Sequence, residues 1–391
     1  MWSLRVRNWF FWSHLVLGVI AGVAIFTMSV TGALLALQPQ VLEWVEADQR
    51  RVAVPPGATR LEPGALLAAA TRGRTLQDGA SLLRLRAPDS AAVITIGRGQ
   101  VVFADPYSGA VLGEGARGLR RTFQWLTEFH RWFAVPTEHR ATARSVTGWS
   151  TLAFVGLALT GAILWIPRKR TWALVVRGLT PAWPSTAAAR HFNWHTVAGI
   201  WSVPVLLVLA LSGVVIAFPW ATTMLYALAG TPAPVAARAE QPLAQPRGRA
   251  AAGPSTPPDF RRLDAAWNQA ERQVPTWGSI TLRIQGRTNG PLSFTITDAT
   301  HWNPFARSQL VMSGADGSVV RWEPYAGLPR GQRWRGWARF AHTGELGGLT
   351  GQLVAGIACV SAALLVYTGL SLALRRLARA RRSSRDDARA A

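Results

Sequence analysis

The chain has one cysteine, Cys359, in 391 residues, so no internal disulfide can form and any exported part must fold without covalent staples. Lysine is equally scarce: Lys169 stands alone among the arginines that supply the rest of a formal charge of +22. Charged residues make up only 16% of the sequence while the mean hydropathy lies above zero. That balance is unusual for a soluble protein and points to a membrane class. A nucleic-acid surface would gather its cations on one soluble face. Here the arginines are scattered through loops or stand beside apolar runs, so no nucleic-acid partner is expected. No Gly-x-Gly-x-x-Gly follows a strand and no sizeable cytoplasmic domain is visible, which leaves no place for a nicotinamide or flavin. The apolar runs carry no acidic residue at mid-depth and no pair of broken segments, although Pro204 is a kink candidate, and this counts against an ion-coupled transporter.

Four runs are long enough to cross about 30 Å of hydrocarbon, which takes about 20 helical residues. They are Trp9–Leu37, Val146–Ile166, Thr196–Trp220 and Leu353–Leu374. The first has basic residues before it (Arg5, Arg7) but is too long for a signal-peptide core and shows no cleavage site, so it reads as a retained span. Arg168-Lys169-Arg170 follow the second run, and Arg375, Arg376, Arg379, Arg381 and Arg382 follow the fourth. The positive-inside rule then predicts cytoplasmic termini, a cytoplasmic loop (168–195) and basic tail (375–391), and two long outer connections.

The outer connections repeat one order of elements. In the first module (38–116) a short helix is expected at Leu61–Thr71, strands at Leu82–Leu85, Ala92–Ile96 and Val101–Ala104, and a turn at Asp105–Gly109. A Pro/Ala/Arg-rich linker within 221–258 opens the second. The second module (259–325) follows with a helix at Phe260–Gln273, strands at Ser279–Ile284, Leu292–Ile296 and Gln309–Met312, and a turn at Ala315–Ser318. Segments 117–145 and 326–352 lead into spans two and four. The predicted fold is an α-helical integral membrane protein: a four-helix bundle with two periplasmic α+β modules, internally duplicated.

The spans carry the same duplication. His14 is followed by Gly18 and Thr31-Gly32, and His195 by Gly199 and Ser212-Gly213, with equal offsets. Spans two and four each close with Thr-Gly, at Thr160-Gly161 and Thr368-Gly369.

Four of the seven histidines occupy related places. His14 and His195 lie near the inner ends of spans one and three; His130 and His342 precede spans two and four on the outer side. An ionisable residue at membrane depth reads as functional by default. Neutral imidazole is a strong iron ligand, and one axial histidine from each of two facing helices holds a b-type haem in a bundle. Two haem b groups are therefore expected, one between His14 and His195 and one between His130 and His342. Zinc fits less well, because a structural site wants four close ligands. Eighteen residues of helix rise about 27 Å, so Gly32 and Gly213 reach the outer leaflet while Gly161 and Gly369 lie in the inner one. Each haem is then faced by glycines of the other two helices, although glycines taken singly read as helix-packing residues. His191, one turn before His195, and His139, nearer span two than His130, remain second choices as ligands. An unbroken helix from His130 to Arg168 would measure roughly 57 Å, so a break is expected at Pro136, with Phe123–Phe133 folded back.

At these residues the sequence resembles the PepSY-associated transmembrane family of bacterial inner-membrane proteins. The marks are Trp12-Ser13-His14 with Gly18 and Thr31-Gly32, Phe129-His130-Arg131, Trp194-His195 with Gly199, and Ala341-His342-Thr343-Gly344. Asp105-Pro106-Tyr107-Ser108-Gly109-Ala110-Val111-Leu112 also looks like the end of a PepSY module, whereas the second module has Asp316-Gly317-Ser318-Val319 and no proline. The resemblance implies a link to iron uptake and, for some members, haem-bearing reduction of ferric siderophores.

The resulting expectation is a haem-dependent ferric reductase of the bacterial inner membrane, acting on a ferric siderophore or other Fe(III) chelate at the periplasmic face. Its donor is expected to be a quinol or a separate reductase. Trp302, Trp322, Trp334, Trp337, Arg321, Arg333 and Arg335 are candidates to dock the chelate, with an interfacial belt as the plainer reading of Trp334 and Trp337. The alternative from another class is a haem-free scaffold or sensor whose PepSY-like modules bind peptides.

Overall fold

In the computed structural model, residues 4–72, 79–97, 100–168, 171–234, 260–283 and 290–390 are described. The chain divides into two compact units.

The first unit is a helical bundle built from Met1–Gln38, Trp125–Gln241 and Arg330–Ala391. Its long helices are α1 (Leu4–Ala36), α6 (Arg140–Trp165), α8 (Ala187–Ala217) and α12 (Gly348–Ala390). All four sit in segments long and apolar enough to cross a membrane, and the chain is a helical membrane protein. The burial pattern is the reverse of a soluble bundle. Inside lie small residues, among them Ala21, Gly22, Ser29, Ala355, Ala358 and Ala362, while Ile20, Val23, Ile357 and Val360 point outward and are more than 60% exposed. In lipid the apolar effect does not favour burying Ile over Ala, so close packing of small residues decides what faces inward. Each of α1 and α8 packs against both α6 and α12; α1 and α8 are therefore diagonal partners.

The helices overrun the apolar runs at several ends. Here α1 begins at Leu4 and α8 at Ala187, where Thr186 accepts a hydrogen bond from Ala189 N–H (3.3 Å) as N-cap. The loop 168–195 holds an unforeseen helix, α7 (Trp172–Leu179), fixed by Trp165 and Trp201, whose indole N–H groups donate to Gly178 and Leu179 carbonyls.

Two short helices enter spans two and four. The first, α5 (Arg117–Trp132), ends at a break over Phe133–Pro136, and α6 starts only after a 3₁₀ turn at Thr137–His139. Phe133 and Ala134 adopt positive φ (54° and 52°) to make that turn. In the second half α11 (Arg330–His342) ends before Gly344, whose φ of 74° needs no side-chain accommodation. A Cβ at Gly344 would lie 2.7 Å from the Gly351 carbonyl, so the turn also requires glycine for space.

The second unit comprises Pro39–Gln124 and Pro242–Pro329. It corrects the expectation of two separate modules: one eight-stranded antiparallel sheet runs through both, in the order β4-β3-β2-β1-β5-β6-β7-β8. The first half supplies β1 (Ser81–Leu85), β2 (Ala92–Gly97), β3 (Gln100–Ala104) and β4 (Val111–Gly113); the second supplies β5 (Trp277–Arg283), β6 (Leu292–Asp298), β7 (Arg307–Met312) and β8 (Val319–Glu323). The halves join at β1 and β5, with Leu82 opposite Leu282 and Arg84 opposite Ile280. The outermost strands, β4 and β8, lie beyond the expected set, each just after an expected turn. Ile284, expected to end a strand, residues 235–258 of the expected linker and residue 259, the first of the second module, lie outside the described residues.

One face of the sheet is covered by α4 (Pro63–Ala70) and α10 (Phe260–Gln273), which touch each other. Leu66, Leu67, Leu263, Trp267, Leu82, Ile94, Ile280, Leu282, Phe294 and Leu310 form a single buried core across both halves. Asp264 of α10 accepts the Gly64 N–H (2.6 Å) and so caps α4 from the other half. Trp322, a candidate for docking a ligand, packs on this core instead.

Glu46 is fully buried in the same unit and accepts from Arg50 (2.8 Å), Arg120 (2.5 Å) and Ala116 N–H (3.1 Å). Burial pushes its carboxyl up, but the hydrogen bonds and charge of Arg120, the Ala116 N–H and Arg50 outweigh that and hold it below the usual carboxylate range.

Candidate functional site

The four histidines singled out in the sequence come together in two pairs inside the bundle unit. His14 on α1 faces His195 on α8 with ring centroids 6.1 Å apart and planes at 89°. His130 near the end of α5 faces His342 at the end of α11 with centroids 6.2 Å apart. All four rings are half-buried.

Each ring is held in the same way. His14 Nδ1 lies 2.9 Å from Thr160 Oγ1, His195 Nδ1 3.0 Å from Thr368 Oγ1, and His130 Nδ1 3.0 Å from Thr31 Oγ1. His342 Nδ1 lies 3.3 Å from Ser212 Oγ and 2.9 Å from the Leu209 carbonyl. Those hydroxyls have already given away their single proton, to Gly156, Leu364, Thr27 and Val208 carbonyls at 2.6–2.7 Å. They can therefore only accept, which places the proton on Nδ1 and leaves Nε2 with a free lone pair. A backbone carbonyl three residues before the hydroxyl adds a second acceptor for each ring, from Leu157, Leu365, Met28 and Leu209 respectively.

The residue after each hydroxyl is the glycine marked in the sequence, and its neighbour is an imidazole edge. A Cβ at Gly161, Gly369, Gly32 or Gly213 would stand 3.2, 3.2, 3.4 or 3.2 Å from Cε1 of His14, His195, His130 or His342. The smallness of these glycines thus serves the histidines themselves, a more local role than clearing room for a macrocycle. Cys359 also reaches Gly32, with Sγ 3.2 Å from the same hypothetical Cβ.

Each hydroxyl–glycine lock lies within one half of the duplication, whereas each histidine pair takes one ring from each half. The paired rings are spaced for one metal ion between them: two metal–nitrogen bonds of about 2 Å put imidazole centroids roughly 6 Å apart. Haem, when bound, would be held through Nε2 of His14 and His195 at one site and of His130 and His342 at the other. Among the described residues no group of three or more His, Cys, Asp or Glu side chains comes together as a metal site.

The inner pair opens into a cavity of about 1290 Å³, lined by His14, His195, Gly161 and Gly369 together with apolar side chains such as Phe154, Leu157 and Val366. Its lining is mostly apolar with a few polar groups, the character of a site for an organic ligand.

The second-choice histidines do not join the pairs. His191 Nδ1 is within 2.8 Å of Ser371 Oγ and its ring leans on Tyr367. His139 closes the 3₁₀ turn before α6 and is exposed. Of the docking candidates, Trp302, Trp334 and Trp337 are exposed, Arg335 hydrogen-bonds Tyr226, and Arg321 pairs with Glu323 at 3.5 Å. The residues whose role the sequence did not disclose are Thr31, Thr160, Ser212 and Thr368. Their signal was present, a hydroxyl directly before each repeated glycine.

A search of the curated proteins finds no match to this chain. The family model for the PepSY-associated TM region matches residues 11–376, and the chain belongs to that family.

Proposed function

We propose that this protein is a two-haem membrane electron carrier that reduces Fe(III), held as a ferric siderophore or similar chelate, at the periplasmic face of the bacterial inner membrane. The observation that carries the reading is the fourfold lock: four imidazoles in two opposed pairs, each with Nδ1 committed and Nε2 free. Haem, when bound, supplies one-electron chemistry between its ferric and ferrous states. The chain's part would be to hold the two histidine nitrogens of each site in one tautomer, to keep them away from bulk water, and to separate the two sites along the helices. Such outer hydrogen bonds orient a ligating histidine and raise its basicity.

The orientation rests on the basic flanks: Arg5 and Arg7 in the first turns of α1 and Arg375, Arg376 and Arg379 in the C-terminal part of α12 are assigned to the cytoplasm, and the connections that form the sheet unit to the periplasm. This puts the His14–His195 pair near the cytoplasmic side and the His130–His342 pair near the periplasmic side. A quinol or a separate reductase is assigned as donor. Beside the outer pair, Arg131 lies in the electrostatic field of Arg144 and Arg339, a cationic grouping suited to an anionic chelate. Fe(III) held by hard oxygen ligands is released on reduction, because Fe(II) binds them less tightly.

The test is a stopped-flow experiment. Purified protein reduced with a stoichiometric amount of dithionite is mixed with ferric siderophore in the presence of a chromogenic Fe(II) trap. Reoxidation with one trapped Fe(II) per electron supports the function; a reduced protein indifferent to every Fe(III) chelate offered refutes it.

A further inference from the structure

The inner cavity has a chemical asymmetry that the histidine pair does not use. Among the described residues its lining includes seven arginines and no aspartate or glutamate. Two of the arginines are committed. Arg7 donates to the Leu164 and Ile166 carbonyls, both at 2.8 Å, and Arg376 lies over the rings of Phe11 and Trp12 at 4.8 and 5.1 Å. The other five, Arg5, Arg168, Arg177, Arg375 and Arg379, are exposed at the mouth, and no hydrogen bond or ion pair is found for them among the described residues. They come from three separate stretches of chain: the start of α1, the segment from the end of α6 into α7, and the end of α12.

Basic flanks suffice to fix topology, but topology does not require that arginines from three segments line one cavity whose wall carries two imidazoles. Nor does it require that carboxylates be excluded from that lining. Exposed cations gathered at one mouth repel one another only weakly through water, but together they raise the local affinity for an anion. The ligand class is therefore an apolar body bearing negative groups at one edge. Two chemistries satisfy it, a flat macrocycle with ionised carboxylates and an anionic phospholipid. An acyl chain has no use for an opposed imidazole pair, whereas a macrocycle held between the rings would bring its carboxylates along with its apolar face.

We propose that the arginine rim of the inner cavity, with Arg168 and Arg177 on one side and Arg375 and Arg379 on the other, binds the carboxylates of the haem held by His14 and His195. The inference rests on the haem reading above and adds to it a determinant of which macrocycle is accepted.

Protein made under haem limitation is titrated in detergent with haemin and with haemin dimethyl ester, following the Soret band. The panel is the wild type, His14→Ala, the quadruple Arg168→Gln/Arg177→Gln/Arg375→Gln/Arg379→Gln variant, and its lysine counterpart. At the site lost in His14→Ala, the wild type is expected to prefer haemin over the ester by about tenfold, the scale of two exposed ion pairs. The glutamine variant should bind both alike, the lysine variant should recover most of the preference, and rising salt should erase it. Equal binding of haemin and ester by the wild type overturns the arginine assignment and leaves the haem reading standing. A wild type with no His14-dependent Soret band overturns the haem reading itself. Loss of a co-purifying anionic phospholipid from the glutamine variant, together with equal binding of haemin and ester, would assign the rim to lipid and also overturn the proposal.

Discussion

In the sheet unit the two halves of the duplication meet at β1 and β5, where Leu82 lies opposite Leu282 and the shared core is filled by Leu, Ile, Phe and Trp side chains. In the bundle unit they meet at two pairs of imidazoles whose rings stand about 6 Å apart. The first junction is what an ordinary fold needs, a ladder of backbone hydrogen bonds over apolar side chains. The second places four polar rings where packing alone would favour small apolar residues, and devotes a hydroxyl, a carbonyl and a glycine to each. A junction that elaborate is more than stability asks for: a buried polar group that is fully hydrogen-bonded gains only about 1 kcal/mol net, and one left unpaired costs more than that. Duplication gave both units a twofold seam, and in the proposed function it is the bundle's seam that carries the chemistry.

The two units should therefore fail differently. Glu46→Gln removes the charge that neutralises Arg50 and Arg120, and should destabilise the sheet unit by about 3 kcal/mol. The sign of its pH dependence follows from the depressed carboxyl. The Glu46 contribution is fully present above the ordinary glutamate value and is lost as pH falls through the lower folded value. Thermal melts across acid pH should thus show a wild-type loss that the variant lacks. Leu282→Ala should cost the sheet unit about 3 kcal/mol by opening a cavity, measurable by denaturant unfolding, while leaving both Soret-active sites of the bundle filled. Thr160→Val removes the acceptor from His14 Nδ1 at nearly constant volume. It should weaken haem retention at the inner pair by about 10- to 100-fold and shift its midpoint potential, with no change in the unfolding of the sheet unit. The smallest effect is expected at the entry turn of span two: Ala134→Gly relieves a positive φ and should stabilise the bundle by about 1 kcal/mol, seen as a higher melting temperature.

The legible part of this molecule was whatever a short sequence pattern encodes. Apolar length gave four spans, His-to-Gly offsets gave the repeat, and the two histidine pairs that the repeat implied are the pairs brought together. Pro136 and the length of the helix that would otherwise run to Arg168 gave the fold-back before span two. What stayed hidden depends on contacts between distant segments. Nothing local in Leu82–Leu85 or Ser279–Arg283 says that they pair with each other rather than ending two separate sheets, because strand pairing between halves nearly 200 residues apart leaves no trace in either strand. Thr31, Thr160, Ser212 and Thr368 were visible as repeat marks, but a hydroxyl in a helix reads first as bonded to its own backbone. Only the imidazole facing it turns that ordinary bond into a device that fixes a tautomer.

The central claim, that the bundle's seam is a pair of haem sites, is tested most directly by counting. Wild type and the His14→Ala, His195→Ala, His130→Ala and His342→Ala variants are purified from haem-replete cells, and each is scored by pyridine haemochrome and by reduced-minus-oxidised spectra. Two b-type haems per wild-type chain are predicted. His14 and His195 variants should lose one and the same site, and His130 and His342 variants the other. A folded wild type that is colourless, or variants that lose haem without respecting these pairs, would contradict the account and favour a haem-free membrane scaffold.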